Sequence, residues 1–184
     1  MNRKHLIPVV SVALLAVVGC QWRGTEVWPD KAGPFPGSPD VLMENFVAAY
    51  GAQDLEAYAV LLHEDFLFSY RACDAERLGL SDDHHDRAAE LLISERMFSR
   101  EPVVNSAGRT VPAITRIVIR AWERLGDWVP VADPGRPGLR RATYDVRVRF
   151  ERAGAPDLAV RGRAVFYALP VELSDRPAWQ LAGW

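Results

Sequence analysis

Ala52-Gln53-Asp54-Leu55-Glu56-Ala57-Tyr58, with Leu61-Leu62-His63-Glu64-Asp65-Phe66 close behind, decides how the rest of the chain is read. Asp54 is a residue type that caps helices, because its carboxylate accepts an amide of the following turn. Leu55, Tyr58, Leu61 and Leu62 then share one helical face, and His63-Glu64-Asp65 leads out into a strand, Phe66 to Tyr70. Upstream, Ser38-Pro39-Asp40 has the form of a cap, a first-turn proline and a first-turn acid, so a helix starts there. Its apolar positions are Leu42, Phe46, Ala49 and Tyr50, and Gly51 is expected to end it. Downstream, Ser81-Asp82-Asp83 reads as the cap of a helix carrying Ala88, Leu91, Leu92, Glu95 and Phe98, closed by Glu101-Pro102.

Beyond this point the apolar period changes from that of a helix to two. The first run is Ile114 to Leu125. In the second, Tyr144, Val146, Val148 and Phe150 alternate with Asp145, Arg147, Arg149 and Glu151. The third sets Leu158, Val160, Gly162, Ala164 and Phe166 against Arg161, Arg163 and Tyr167, and Trp179 to Trp184 forms a last short strand. Helices first and an antiparallel sheet with one apolar face afterwards make an α+β domain, the N-terminal helices packed on that face.

The order of elements, with the stretch quoted above and its exit into the first strand, resembles the nuclear transport factor 2-like superfamily. The resemblance implies a curved sheet closed into a cystatin-like cone over residues 39–184, the fold shared with ketosteroid isomerases and polyketide cyclases. Isomerase chemistry needs an Asp base and an oxyanion hole of a Tyr and a protonated Asp. Laid on Leu42 to Tyr70, the family's Tyr donor falls on Phe46 and its base on Tyr70. Phe46 cannot donate a hydrogen bond, and a phenol is a poor base at neutral pH. The inward face of residues 158–166 carries no acid, so that activity is not expected.

The chain has 184 residues with 22 Lys and Arg, 24 Asp and Glu, and two Cys, which excludes a disulfide-stapled scaffold and a basic nucleic-acid binder. Its start is a basic cluster, an apolar run Leu6 to Val18, then Gly19 and Cys20. That run would span about 20 Å as a helix, short of the roughly 30 Å hydrocarbon core. Residues 1–19 therefore read as a secretory signal, and Val17-Val18-Gly19-Cys20 resembles the lipobox of bacterial lipoproteins, in which Cys20 is acylated. Such acyl chains would anchor the protein to a membrane of the cell envelope. Gln21 lacks the Asp associated with inner-membrane retention, so the outer membrane is favoured where there are two. Residues 20–38, rich in Pro and Gly, read as a flexible tether, with Trp22 and Trp28 suited to a lipid interface. Cys73, left without a partner, is expected to be buried.

His63, Asp65 and Tyr70 are the candidate acid and base groups inside a cone, and Tyr50, Tyr144 and Trp122 the candidate ligand contacts. His84-His85-Asp86 invites a metal, but neighbouring helical residues point about 100° apart, so an acidic first turn explains the same letters. No phosphate loop, nucleophile elbow or HExxH motif is present, and neither metal nor cofactor is expected. Arg116, Arg120 and Arg124, continued by Arg147, Arg149, Arg161 and Arg163, make a basic sheet face. It reads as a solvated surface or a homodimer contact ahead of an anion site. The reading that results is a lipid-anchored domain that binds a small ligand or a protein without catalysis. A polyketide-cyclase-like or dehydratase-like enzyme is the alternative.

Overall fold

The computed structural model describes residues 28–78, 82–105 and 107–184. The signal segment, the acylation site Cys20, Trp22 and the expected cap Ser81 lie outside them. Helix α1 spans Pro39–Ala52, its first turn closed by Val41 N–H donating to Ser38 Oγ. It runs past Gly51 and stops at Gln53, which adopts φ 59°. A left-handed non-glycine residue holds there because its side-chain amide donates to the carbonyls of Met97 and Ile114, tying the turn to distant elements. Asp54 caps α2 (Leu55–Ala59), accepting from Ala57 N–H at 3.0 Å.

Strand β1 (Leu62–Ser69), helix α3 (Ala72–Leu78) and strand β2 (His84–Asp86) follow, then helix α4 (Arg87–Phe98). A small hairpin, β3 (Val103–Val104) and β4 (Thr110–Val111), leads into β5 (Ile114–Arg124), β6 (Val129–Pro130), β7 (Arg140–Arg152), β8 (Leu158–Leu173) and β9 (Arg176–Gly183). The main sheet has the order β2-β1-β9-β8-β7-β5, with β6 on β7. The curved sheet under N-terminal helices is the expected α+β architecture, with one difference. β1 pairs with β9 in parallel, so the sheet is mixed and not antiparallel throughout. Hairpin signals report neighbours in sequence, whereas a parallel pair joins strands separated by most of the domain.

Ala142, Tyr144, Val146 and Val148 of β7 face inward, as alternation requires. With α1, α2, β8 and β9 they enclose a core centred on Phe46, whose ring lies 5.3–5.9 Å from those of Tyr50, Tyr58, Trp122, Phe166 and Trp184. Such a cluster fills the deep end of the cone.

Four expectations are corrected. In β5 the pairing slips between Ile119 and Ala121, and this bulge turns Arg124 to the helix side, where it pairs with Asp40 of α1 at 3.3 Å. Arg124 therefore leaves the basic face. The true cap of α4 is Asp86, accepting from Ala89 N–H, and the inward stripe is Glu90, Ser94 and Phe98 while Leu92 is exposed. Cys73 is exposed, since α3 turns Ala75 and not Cys73 to the interior. Residues 28–38 pack on the domain: Trp28 lies against the core, Pro36 is buried and its carbonyl accepts from Trp179 N–H. The segment packs as a 3-10 turn at Asp30–Ala32 followed by irregular proline-rich chain, which helical or strand periodicity does not report.

Candidate functional site

β8 outruns β9. Their pairing ends at Tyr167 opposite Gly183, so residues 158–166 have β7 on one side and no strand on the other among the described residues. Across the interruption, β1 continues to Ser69, whose N–H donates to Trp184 O at 2.9 Å. A cleft of about 880 Å³ opens between the two strands. Its walls are consecutive residues, 160–165 of β8 and 67–71 at the end of β1, with 182–184 between them. Successive strand residues point to opposite faces, so a cavity lined by an unbroken run lies edge-on between strands.

Phe68, Tyr70, Tyr167 and Trp184 supply its aromatic surface and Arg71, Arg136, Arg161 and Arg163 its charge, with no Asp or Glu among the lining residues. Arg136 is held by Asp133 at 2.8 Å. On a chain of net charge −2 this is a local excess of positive potential, suited to anions.

Behind the aromatic wall stands a buried carboxylate. Glu90 accepts from Tyr58 Oη at 2.7 Å and Ser94 Oγ at 3.1 Å through Oε1, and its Oε2 lies 2.7 Å from His85 Nε2. The His85 ring stacks on Phe68 with centroids 4.7 Å apart and sits 5.6 Å from that of Tyr70. Burial, reinforced by the negative charge of Glu90, raises the pKa of Tyr58 and of Tyr70, so both hydroxyls stay protonated donors. A buried acid orienting a histidine is an arrangement able to hold or move a proton.

Of the candidate acid and base groups, Tyr70 reaches the cleft. His63 and Asp65 meet each other at 3.8 Å on β1, where Asp65 is exposed, and neither lines the cleft. With Glu64 their ligating atoms fall within 4.8 Å of one another, an exposed cluster of the kind strands often carry without an ion. Tyr50, Trp122 and Tyr144 are drawn into the packed aromatic core and do not line the cleft. Tyr50 Oη donates to Met97 Sδ. Tyr144 is pushed up to about 12 by burial and then by the charge of Asp40. The indole N–H groups of Trp122 and Trp184 are buried and make no hydrogen bond within the described residues.

Sequence reasoning missed Glu90, Ser94 and His85. The available signal was the spacing of Glu90, Ser94 and Phe98, four residues apart, which puts two polar groups on the face that Phe98 anchors.

Helices on one face of a curled sheet, with this strand order, align with solved structures. A conserved protein from Planctomyces limnophilus superposes with a TM-score of 0.52 at 14% identity, covering 78% of this chain and 88% of its own. Two Novosphingobium aromaticivorans proteins, one assigned as an aromatic ring hydroxylase and one as a scytalone dehydratase, each give 0.51 at 12% identity. They cover 78% of this chain and 81% and 76% of theirs. The chain has the nuclear transport factor 2-like fold. No family model and no curated protein matches the sequence. At such identities the nuclear transport factor 2-like fold is what is shared, and function must come from the cleft itself.

Proposed function

We propose that this protein is a lipid-anchored component of the cell envelope whose cone carries a non-catalytic binding cleft for a partly apolar, negatively charged partner. The observation that carries the reading is the cleft lining, four aromatic rings and four arginines with no acid. Trp28 N–H donates to Ser174 Oγ, so the described chain begins beside the β8–β9 turn, while the cleft lies at the other end of β9. Full-length protein in detergent, titrated with 1-naphthoate and with 1-naphthylmethylamine, tests the binding. Saturable quenching of Trp184 by the acid alone, weakened by salt, is expected, and equal response to both compounds overturns it. Cys20→Ser tests the anchor: release of the protein from membranes is expected, and unchanged membrane association refutes it.

The enzyme reading is favoured by one observation, the His85–Glu90 pair beside Tyr70. It requires exchange of α-protons of an anionic aryl ketone with D₂O, abolished in His85→Ala. No exchange over a panel of such ketones leaves binding alone.

A further inference from the structure

The cleft has the position of a missing strand. The cleft lies between residues 160–165 of β8, which runs antiparallel to β9, and 67–71 at the end of β1, which runs parallel to β9. In an antiparallel ladder alternate residues turn both N–H and C=O to the same side. Half of the backbone groups of residues 158–166 therefore face a side on which no strand lies among the described residues. Leu158, Val160 and Val165 are 48%, 50% and 36% exposed, on both faces of that edge. Gly162, at its middle, has φ 153° and nothing within 4 Å of where a Cβ would stand. Glycine inside a strand marks a bulge, a bend or a place where a ligand or another backbone comes close, and the space beside Gly162 leaves room for the last.

We propose that the cleft takes an extended segment of another polypeptide, one with apolar and acidic residues alternating, as an added strand antiparallel to β8. This rests on the anionic-cleft reading and names its occupant. Inward side chains of the added strand would meet Val160, Ala164 and Trp184, and outward ones Arg161 and Arg163, neither of which makes an ion pair with any described residue. The same charges decide against a second copy, because edge-to-edge pairing of two β8 strands would set Arg161 and Arg163 of one beside those of the other. Main-chain pairing would supply affinity and the alternating side chains specificity, as in other strand additions.

The test uses full-length protein in detergent and a short synthetic peptide alternating Val with Asp. Three controls accompany it: the Val–Lys counterpart, a Val–Asp peptide N-methylated at alternate residues, and 1-naphthoate. Trp184 fluorescence reports binding, and amide hydrogen exchange reports protection at residues 158–166. Saturable binding of the Val–Asp peptide alone, with slowed exchange there, is expected, and Arg161→Glu with Arg163→Glu should weaken it about tenfold. Undiminished binding of the N-methylated peptide overturns the added strand. Naphthoate binding without peptide binding overturns it too and leaves the anionic cleft standing, whereas failure of both removes both. A concentration-dependent dimer that protects the same amides assigns the edge to a second copy and refutes the proposal.

Discussion

Glu90 is the residue on which the buried polar network depends. Its carboxylate is 4% exposed and serves Tyr58 and Ser94, both fully buried, besides His85. Removing it strands two buried hydroxyls, each worth about 1–3 kcal/mol when left without a partner. Glu90→Ala should therefore lower unfolding free energy by about 2–5 kcal/mol in urea titrations, and Tyr58→Phe by about 1 kcal/mol. A Glu90→Ala protein as stable as the parent would show that the network contributes no net stability. Little of this is legible in the sequence beyond the four-residue spacing of Glu90, Ser94 and Phe98: Glu90 reads as one acid in a helix and His85 as one of two adjacent histidines. Hydrogen bonds join positions that only the packing of α4 against α2 and β2 brings together. Tyr70 was a candidate acid or base because the resembled family's base position falls on it, and that it lines the cleft is seen only in the fold. His63 and Asp65 were legible only as a pair.

At the scale of elements, β9 fixes the cleft by its register between β1 and β8. Gly183 pairs with both Leu67 and Tyr167, and a Cβ there would meet the Leu67 carbonyl oxygen at 2.5 Å. Neither backbone can withdraw without breaking its own ladder. Gly183→Ala should cost about 1–3 kcal/mol, the range for overpacking, and speed amide exchange in β1 while leaving β5 and β7 protected. Gly37→Ala, with nothing within 4 Å, should be neutral, and equal effects of the two would refute the contact argument. Elements read from capping and alternation start where expected, α1 from its Ser38 cap, α2 from Asp54 and β7 with its inward Tyr144, Val146 and Val148, but α2 ends at Ala59 and Leu62 to Asp65 already belong to β1. What alternation could not report is where one strand stops relative to its neighbour. That offset, and the bulge that turns Arg124 toward Asp40, are set by pairing across the sheet.

For the whole molecule, a core built on rings makes tyrosine ionisation a threat to the fold. Tyr144 is raised to about 12 by burial first and by Asp40 second, and burial raises Tyr50 and Tyr58 as well, with the charge of Glu90 adding to both. An unfolded tyrosine ionises near 10. Between pH 10 and 12 the unfolded chain thus holds fewer protons than the native one, and stability falls as pH rises. Below pH 10 both states are protonated and the contribution is complete. Urea midpoints should accordingly be level from pH 8 to 9 and drop steeply above 10. Tyr144→Phe removes one of these groups, so its midpoint should decline less between pH 10 and 12, although its ring contacts are kept. Phenolate absorbance of the native protein at pH 11 should report fewer than the five tyrosines in the chain, the remainder appearing only with unfolding. Full ionisation of all five at pH 11 in a protein that keeps its native circular dichroism would mean that solvent enters the cone. The ring cluster would then be a lined cavity, and the deep end would join the cleft as a place for ligands.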